Sequence, residues 1–461
     1  MQLTNIIRQF HRQSFITYKA SKSLAKFSLK MSSSPKTIFE GMTTPAVQDA
    51  PYIIKTESVL ENNIVDTNEI SSTIKFLVSS EDVHNNESSS SSDVVDAREI
   101  GNIAIYWHPA CYEHCIPGHP EQPDRVKEIL RALKAAFPSE CFRLSPKVTE
   151  EQILLFHKRS HLQNFNIRAD KAERSKSEGR TAYYEYDSDT AVMWATREAA
   201  FHAAGAVIAA VDAIYAPDNS PDKARTAFCA VRPPGHHAET NTVMGFCFFN
   251  NAGMAAKWAQ LKYRESHGVV KVAVLDFDVH HGNGTEEGFR NDETLFYGST
   301  HEKDNFPGTG RDLYPNIGDN AKSEAHRRIV NRYLEGGDHK RSRKQFYSRW
   351  LHVVDEMERF KPDLIIISAG FDAHGDDPLG NCWLQDEDFA WATDVISRAA
   401  SRIKLNSTPV PIISVLEGGY DLNAIARSAV VHCKALERGY VAPNVGDEAT
   451  ALAESIEKLE L

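Results

Sequence analysis

The chain has 461 residues, a formal net charge of −11 and a pI near 6.0. That acidic balance excludes a protein whose main task is gripping nucleic acid, and it suits a cationic substrate. No stretch reaches the roughly eighteen apolar residues of a membrane span. No membrane partner is therefore expected, and the seven cysteines, with no disulfide or zinc-knuckle spacing, point to a reducing compartment.

From Met1 to Phe39 there is no Asp or Glu, while Arg8, Arg12, Lys19, Lys22, Lys26, Lys30 and Lys36 recur among Ser, Thr and apolar residues. Residues 1–39 have the composition of an organelle presequence, addressed to mitochondrion or plastid, and lack the compact apolar block of a secretory signal. Initiation at Met31 would delete most of it and leave a cytoplasmic or nuclear protein. Residues 40–100 mix acids with Asn and a serine run from Ser88 to Ser92, too few apolar groups to offset their ordering entropy. We expect a disordered linker there, with Ile74–Val78 as a short strand or partner contact.

A single domain is expected over 101–440. It starts with the β-like run IAIYW, and Val126–Phe137 then carries apolar residues at Val126, Ile129, Leu130 and Leu133, one buried helical face. Ala191–Tyr215, apolar nearly all round, predicts a helix packed deep against a sheet. Further helices are expected at Asn251–Tyr263, Gln345–Phe360, Asp386–Ile403 and Leu422–Arg438. They alternate with the strand-like runs TAFCAV, VKVAVL, LIIIS and PIISV, which implies βαβ units and a three-layer α/β/α fold around a mainly parallel sheet. Residues 441–461 read as a tail, with a short polar helix or frayed end from Glu448.

The four strand-like runs end in RPPGHHAE, DFDVHHGNGT, AGFDAHGDDPLG and LEGGY. Parallel sheets bind ligands beyond the carboxyl ends of their strands, so His236, His237, Asp278, His280, Asp372 and Tyr420 are expected in one crevice. In extended chain the Asp278 and His280 side chains leave on one face, and Asp372 completes a set of one nitrogen and two carboxylates with coordination positions left for water and substrate. That donor set points to a metal hydrolase. Its proton acceptor would be one of the paired His236 and His237, with the other as electrostatic helper and Asp276 as the carboxylate that orients one imidazole. Tyr420, after two glycines, would donate to a developing oxyanion.

RPPGHHAE, GFCFFNN, DFDVHHGNGT, FPGTG, SAGFDAHGDDPLG and LEGGY, in this order, resemble the zinc-dependent histone deacetylase family over about 103–439, and HPEQPDR resembles its class II branch. The resemblance implies an arginase-like domain, Zn2+ on Asp278, His280 and Asp372, His237 as general base, His236 as the charged partner of Asp276, and Tyr420 as carbonyl polariser. The reaction implied is hydrolysis of an ε-N-acetyl-lysine amide in a protein or peptide. It further implies a narrow acyl channel walled by Phe246 and Phe306 with Gly245 and Leu379, and K+ at Asp276, Asp278, His280, Ser299 and Thr300.

Three departures from the family pattern matter. Asn283 stands where class I members carry Asp behind the second histidine, so His237 would have a neutral partner. The segment 316–344 lacks the usual glycine-rich run, which removes the support for a second cation site, and its basic cluster is expected to be a solvated face. Leu379 stands where polyamine-preferring relatives carry Glu, which favours acetyl-lysine. The rival readings are an acetylpolyamine amidohydrolase and a non-catalytic acyl-lysine binding scaffold.

Overall fold

In the computed structural model, residues 103–311, 328–403 and 408–438 are described. The expectations for the presequence, the linker with Ile74–Val78, the C-terminal tail and part of segment 316–344 fall outside them. The strands are β1 (Ile103–Trp107), β2 (Phe142–Leu144), β3 (Tyr184–Glu185), β4 (Ala191–Val192), β5 (Thr226–Cys229), β6 (Val272–Asp276), β7 (Leu295–Glu302), β8 (Ile329–Leu334), β9 (Leu364–Ala369) and β10 (Ile412–Leu416). The α-helices are α1 (Asp124–Ala136), α2 (Glu150–Ile153), α3 (Arg159–Ser177), α4 (Thr196–Ile214), α5 (Asn251–His267), α6 (Asn283–Phe289), α7 (His339–Phe360), α8 (Asp386–Ile403) and α9 (Leu422–Arg438).

Eight strands form one sheet in the order β2-β1-β5-β10-β9-β6-β7-β8, with every neighbouring pair parallel. Its central strands β6, β9 and β10 are near-continuous β-branched and aliphatic runs because both faces are covered. Alternate residues feed two cores. Ala104, Val272, Val274, Leu364, Ile366 and Ile413 pack with α3, α4 and α5, whereas Ile105, Ala273, Leu275, Ile365, Ile367 and Ile412 pack with α1, α7, α8 and α9. The period-2 alternation of strand side chains thus builds the three expected layers.

Several elements differ from the sequence reading. Ala191 and Val192 pair with Tyr184 and Glu185 in a small antiparallel ribbon, and the helix expected from Ala191 begins at Thr196. The bonds to the hairpin partner outweigh the helical preference of a short Ala-Val start. Helix α3 and strands β7 and β8 were not anticipated. The basic segment is only partly a solvated face: Arg343 pairs with the fully buried Asp388 at 2.8 Å, and the Arg328 guanidinium donates to the backbone carbonyls of Asp292 and Leu295. No described helix is long and apolar enough to cross a membrane.

Helix α4 lies close on the loop that follows β2 because Gly205 has no side chain. A Cβ there would stand 1.9 Å from the Pro146 carbonyl oxygen, a backbone atom that cannot swing aside. Gly205→Ala is therefore expected to cost about 2 kcal/mol or more through overpacking. Urea denaturation that shows an unchanged midpoint would contradict this packing.

Candidate active site

The four motif-bearing strands are contiguous in the sheet, as β5-β10-β9-β6, so their carboxyl ends open into one crevice. Beyond those ends the chain turns instead of continuing extended, and carboxylates cause the turn. Asp276 Oδ1 accepts the Asp278 amide at 3.1 Å, and Asp278 Oδ1 accepts the His280 amide at 2.8 Å. The extended geometry expected for residues 278–280 is thus replaced by a bend, because carboxylate acceptors satisfy amides that no strand reaches. The outcome expected from extension is still reached: His280 Nδ1 lies 3.1 Å from both Asp278 Oδ1 and Asp372 Oδ2.

Those three residues form a buried cluster whose ligand atoms all fall within 4.8 Å of one another. Their second oxygens are anchored as well, Asp278 Oδ2 by the Gly418 amide at 2.8 Å and Asp372 Oδ1 by the Val279 amide at 2.8 Å. Two buried carboxylates facing one imidazole carry an excess of negative charge in a low-dielectric setting. Burial and the neighbouring Asp278 accordingly push the Asp372 carboxyl above its ordinary range. The 3.1 Å spacings lie near the ~3.3 Å that metal bonds of about 2.0 Å require between tetrahedral ligands. The donor set fits a divalent ion.

The paired histidines lie beside this cluster, both buried, with ring centroids 4.0 Å apart. They have different partners. His236 Nδ1 donates to Asp276 Oδ2 at 3.0 Å, and Asp276 also accepts the Tyr297 hydroxyl at 3.1 Å. Burial works against charge on His236, but Asp278 and Asp276 outweigh it and raise the imidazole to about 10. His237 Nδ1 donates to the neutral Asn283 Oδ1 at 2.9 Å, and burial followed by repulsion from His236 and His280 holds it well below its usual value. The two surroundings thus push the imidazoles in opposite directions, His236 towards its charged form and His237 towards its neutral form.

Tyr420 is 9% exposed, and burial raises its phenol well above the usual range, so it remains a donor. The Phe246 ring meets it edge-on at 6.0 Å, and the Arg125 guanidinium lies 4.8 Å over its face. Phe306 stands edge-on to His237 at 5.0 Å, with Gly245 between: a Cβ on Gly245 would lie 2.5 Å from the His237 ring and 2.8 Å from Phe306. Both phenylalanines are half-buried, at the outer side of the histidines. Leu379 is buried, and its carbonyl accepts from Asn305 beside Phe306. Ser299 is the register partner of Asp276, its hydroxyl bonded to His301, while the buried Thr300 hydroxyl has no hydrogen-bond partner among the described residues.

Sequence reasoning missed the support of this centre. Glu417 Oε2 accepts the Gly235 and His236 amides at 2.6 and 3.1 Å, fixing the histidine turn to the end of β10. Arg125 donates to the Glu417 and Gly419 carbonyls, and Glu121 is held between Arg125 at 3.0 Å and Arg232 at 2.6 Å, all three fully buried. The i, i+4 Glu121 and Arg125 of HPEQPDR were the available signal, but charges four apart on a helix are ordinarily solvent-exposed.

The eight-stranded, mainly parallel sheet covered by helices on both faces defines an arginase-like α/β/α fold. The histone deacetylase domain model matches residues 119–436, and the chain belongs to the histone deacetylase family. It is 34% identical over 385 residues to histone deacetylase 6 of Caenorhabditis elegans, which covers 80% of this chain and 37% of that protein. It is 32% identical to the chloroplastic histone deacetylase 14 of Arabidopsis thaliana over 72% of this chain and 76% of that one. Against the crystal structure of the HDA15 HD domain the TM-score is 0.62 at 28% identity, covering 78% of this chain and 94% of that one. The chain thus spans little more than a third of the worm relative and about three quarters of the plant one.

Gly418 makes the ligand set testable. A Cβ there would lie 2.0 Å from Asp372 Oδ2 and 2.6 Å from Asp278 Oδ2, so Gly418→Ala must displace both carboxylates. Retention of a divalent metal, read by elemental analysis after dialysis, is expected to fall at least about tenfold while circular dichroism is unchanged. Full metal retention would refute the assignment.

Proposed function

We propose that this chain is a zinc-dependent, class II-type deacetylase that removes acetyl groups from ε-N-acetyl-lysine side chains of proteins. The observation that carries the reading is the buried Asp278, His280 and Asp372 cluster beside two buried histidines, one bonded to the carboxylate of Asp276 and the other to the neutral Asn283. Asp278, His280 and Asp372 would hold the zinc ion, which would supply Lewis-acid polarisation of the amide carbonyl and a lowered pKa for a water.

The remaining work falls to this chain's own groups. With Nδ1 occupied by Asn283, His237 keeps Nε2 for the proton that water gives up as it attacks, and passes it to the lysine nitrogen as the C–N bond breaks to give lysine and acetate. The cationic His236, fixed by Asp276, stabilises negative charge as it develops. Tyr420, kept protonated by burial, donates to the same oxygen. Phe246 and Phe306 clasp the four-carbon stem and exclude water from it.

A potassium ion near Asp276, Asp278, His280, Ser299 and Thr300 would give the unpartnered Thr300 hydroxyl an acceptor role, which supports K+ as a second cofactor. Leu379, buried and apolar where an acid would greet a distal ammonium, favours acetyl-lysine over acetylpolyamine. Two relatives named chloroplastic support reading residues 1–39 as a plastid presequence, and linker, catalytic domain and tail are proposed over 40–100, 101–440 and 441–461.

Purified protein is expected to hydrolyse an acetyl-lysine peptide, with Tyr420→Phe and Asp278→Asn each lowering kcat/KM at least about a hundredfold. Undiminished rates in both variants would end the proposal. Acetylspermidine is expected to be the poorer substrate by kcat/KM, and the reverse order would shift the assignment to a polyamine amidohydrolase. A fluorescently tagged protein started at Met1 should enter an organelle that one started at Met31 does not.

A further inference from the structure

His237 can serve as acceptor only if its second ring nitrogen, and not Nδ1, lacks the proton. An asparagine behind it does not enforce this, because the amide presents nearly the same shape after a half-turn that exchanges oxygen and nitrogen. Flipped, Asn283 would aim Nδ2 at His237 Nδ1, which would favour the tautomer protonated at the other nitrogen. Something beyond Asn283 must choose its orientation.

The neighbours of Asn283 supply that choice. Its Nδ2 donates to Glu239 Oε1 at 2.9 Å and to the Met244 thioether at 3.4 Å, two groups that only accept. A flipped amide would set its oxygen against a carboxylate and leave the sulfur without a donor. The carboxylate itself is held in a braced turn: the Glu239 amide donates to the Thr242 carbonyl at 2.9 Å, and the Glu239 carbonyl accepts His157 Nδ1 at 3.1 Å. His157 in turn accepts the Asn250 amide at 2.8 Å, joining this turn to the start of α5.

We propose that Glu239 is a positioning residue that, through Asn283, selects the His237 tautomer protonated at Nδ1 and thereby makes Nε2 the proton acceptor. The residues form a line, Glu239 to Asn283 to His237, in which the formal charge lies one residue further out than it would with a carboxylate directly behind the imidazole. This inference rests on the proposed role of His237, but the tautomer itself is a property of the resting protein.

Two readouts test it on the full-length, zinc-loaded chain. Glu239→Gln gives the side chain a donor and an acceptor, so either Asn283 orientation is satisfied. Long-range 1H–15N spectra of histidine-labelled protein, with His237 assigned by its loss in His237→Ala, should show one tautomer in the parent and two in Glu239→Gln. Turnover should fall about tenfold with KM within about twofold, the usual scale for a group acting behind a site residue.

In an Asn283→Asp background the sign should reverse. A carboxylate at 283 accepts from His237 directly and repels Glu239, so adding Glu239→Gln should raise kcat over Asn283→Asp alone. A single His237 tautomer in Glu239→Gln, or equal losses in both backgrounds at constant zinc content and fold, overturns the proposal. If the parent hydrolyses no acyl-lysine peptide at all, the functional reading falls, and the spectra alone decide the relay.

Discussion

Carboxylates that accept backbone amides at the ends of four strands hold this centre together. A parallel strand that stops leaves N–H groups with no ladder partner, and here many such groups around the crevice are met by an acid. Asp276 takes Asp278, Asp278 takes His280 and Gly418, Asp372 takes Val279, Glu417 takes Gly235 and His236, and Asp377 takes Tyr420 and Asp421. The same residues therefore shape the loops and supply the charge of the site. The buried Asp278, His280 and Asp372 cluster follows from that double duty, since acids buried to hold loops leave negative charge to be neutralised.

The two histidines show how environment divides labour between identical side chains. Both sit in one Pro-Pro-Gly turn and both are buried, so desolvation penalises charge on each. The difference lies in the neighbours: Asp278 and then Asp276, which stands behind Nδ1, raise His236, whereas His237 has an amide behind Nδ1 and is lowered further by His236 and His280. The same side chain is thus pushed in opposite directions by the charges around it.

Much of this was legible in the chain. Layering, parallel order and the meeting of the four strand ends followed from apolar runs that stop at Gly-flanked polar residues, and His236, His237, Asp278, His280 and Asp372 lie together as their placement at strand ends implied. What could not be read has physical reasons. Helix α3 buries Leu162, Phe165, Ala169 and Ala172 in an otherwise polar, charged stretch, so its apolar face is thin. Strand β7 is buried through LFYGSTH, but Gly, Ser, Thr and His obscure a strand whose polar groups are satisfied only in the folded site. The Glu121, Arg125, Arg232 and Glu417 supports join segments up to about three hundred residues apart, and no local pattern encodes such partners.

Strand β10 is the last strand along the chain, yet it lies between β5 and β9 near the middle of the sheet. Without it the remaining strands fall into two half-sheets, β2-β1-β5 and β9-β6-β7-β8, each with a raw hydrogen-bonding edge where its neighbour belongs. A nascent or C-terminally shortened chain therefore has a split scaffold, open to wrong pairing, until the final insertion zips the halves together. Catalytic competence and protection from aggregation arrive in that one late event.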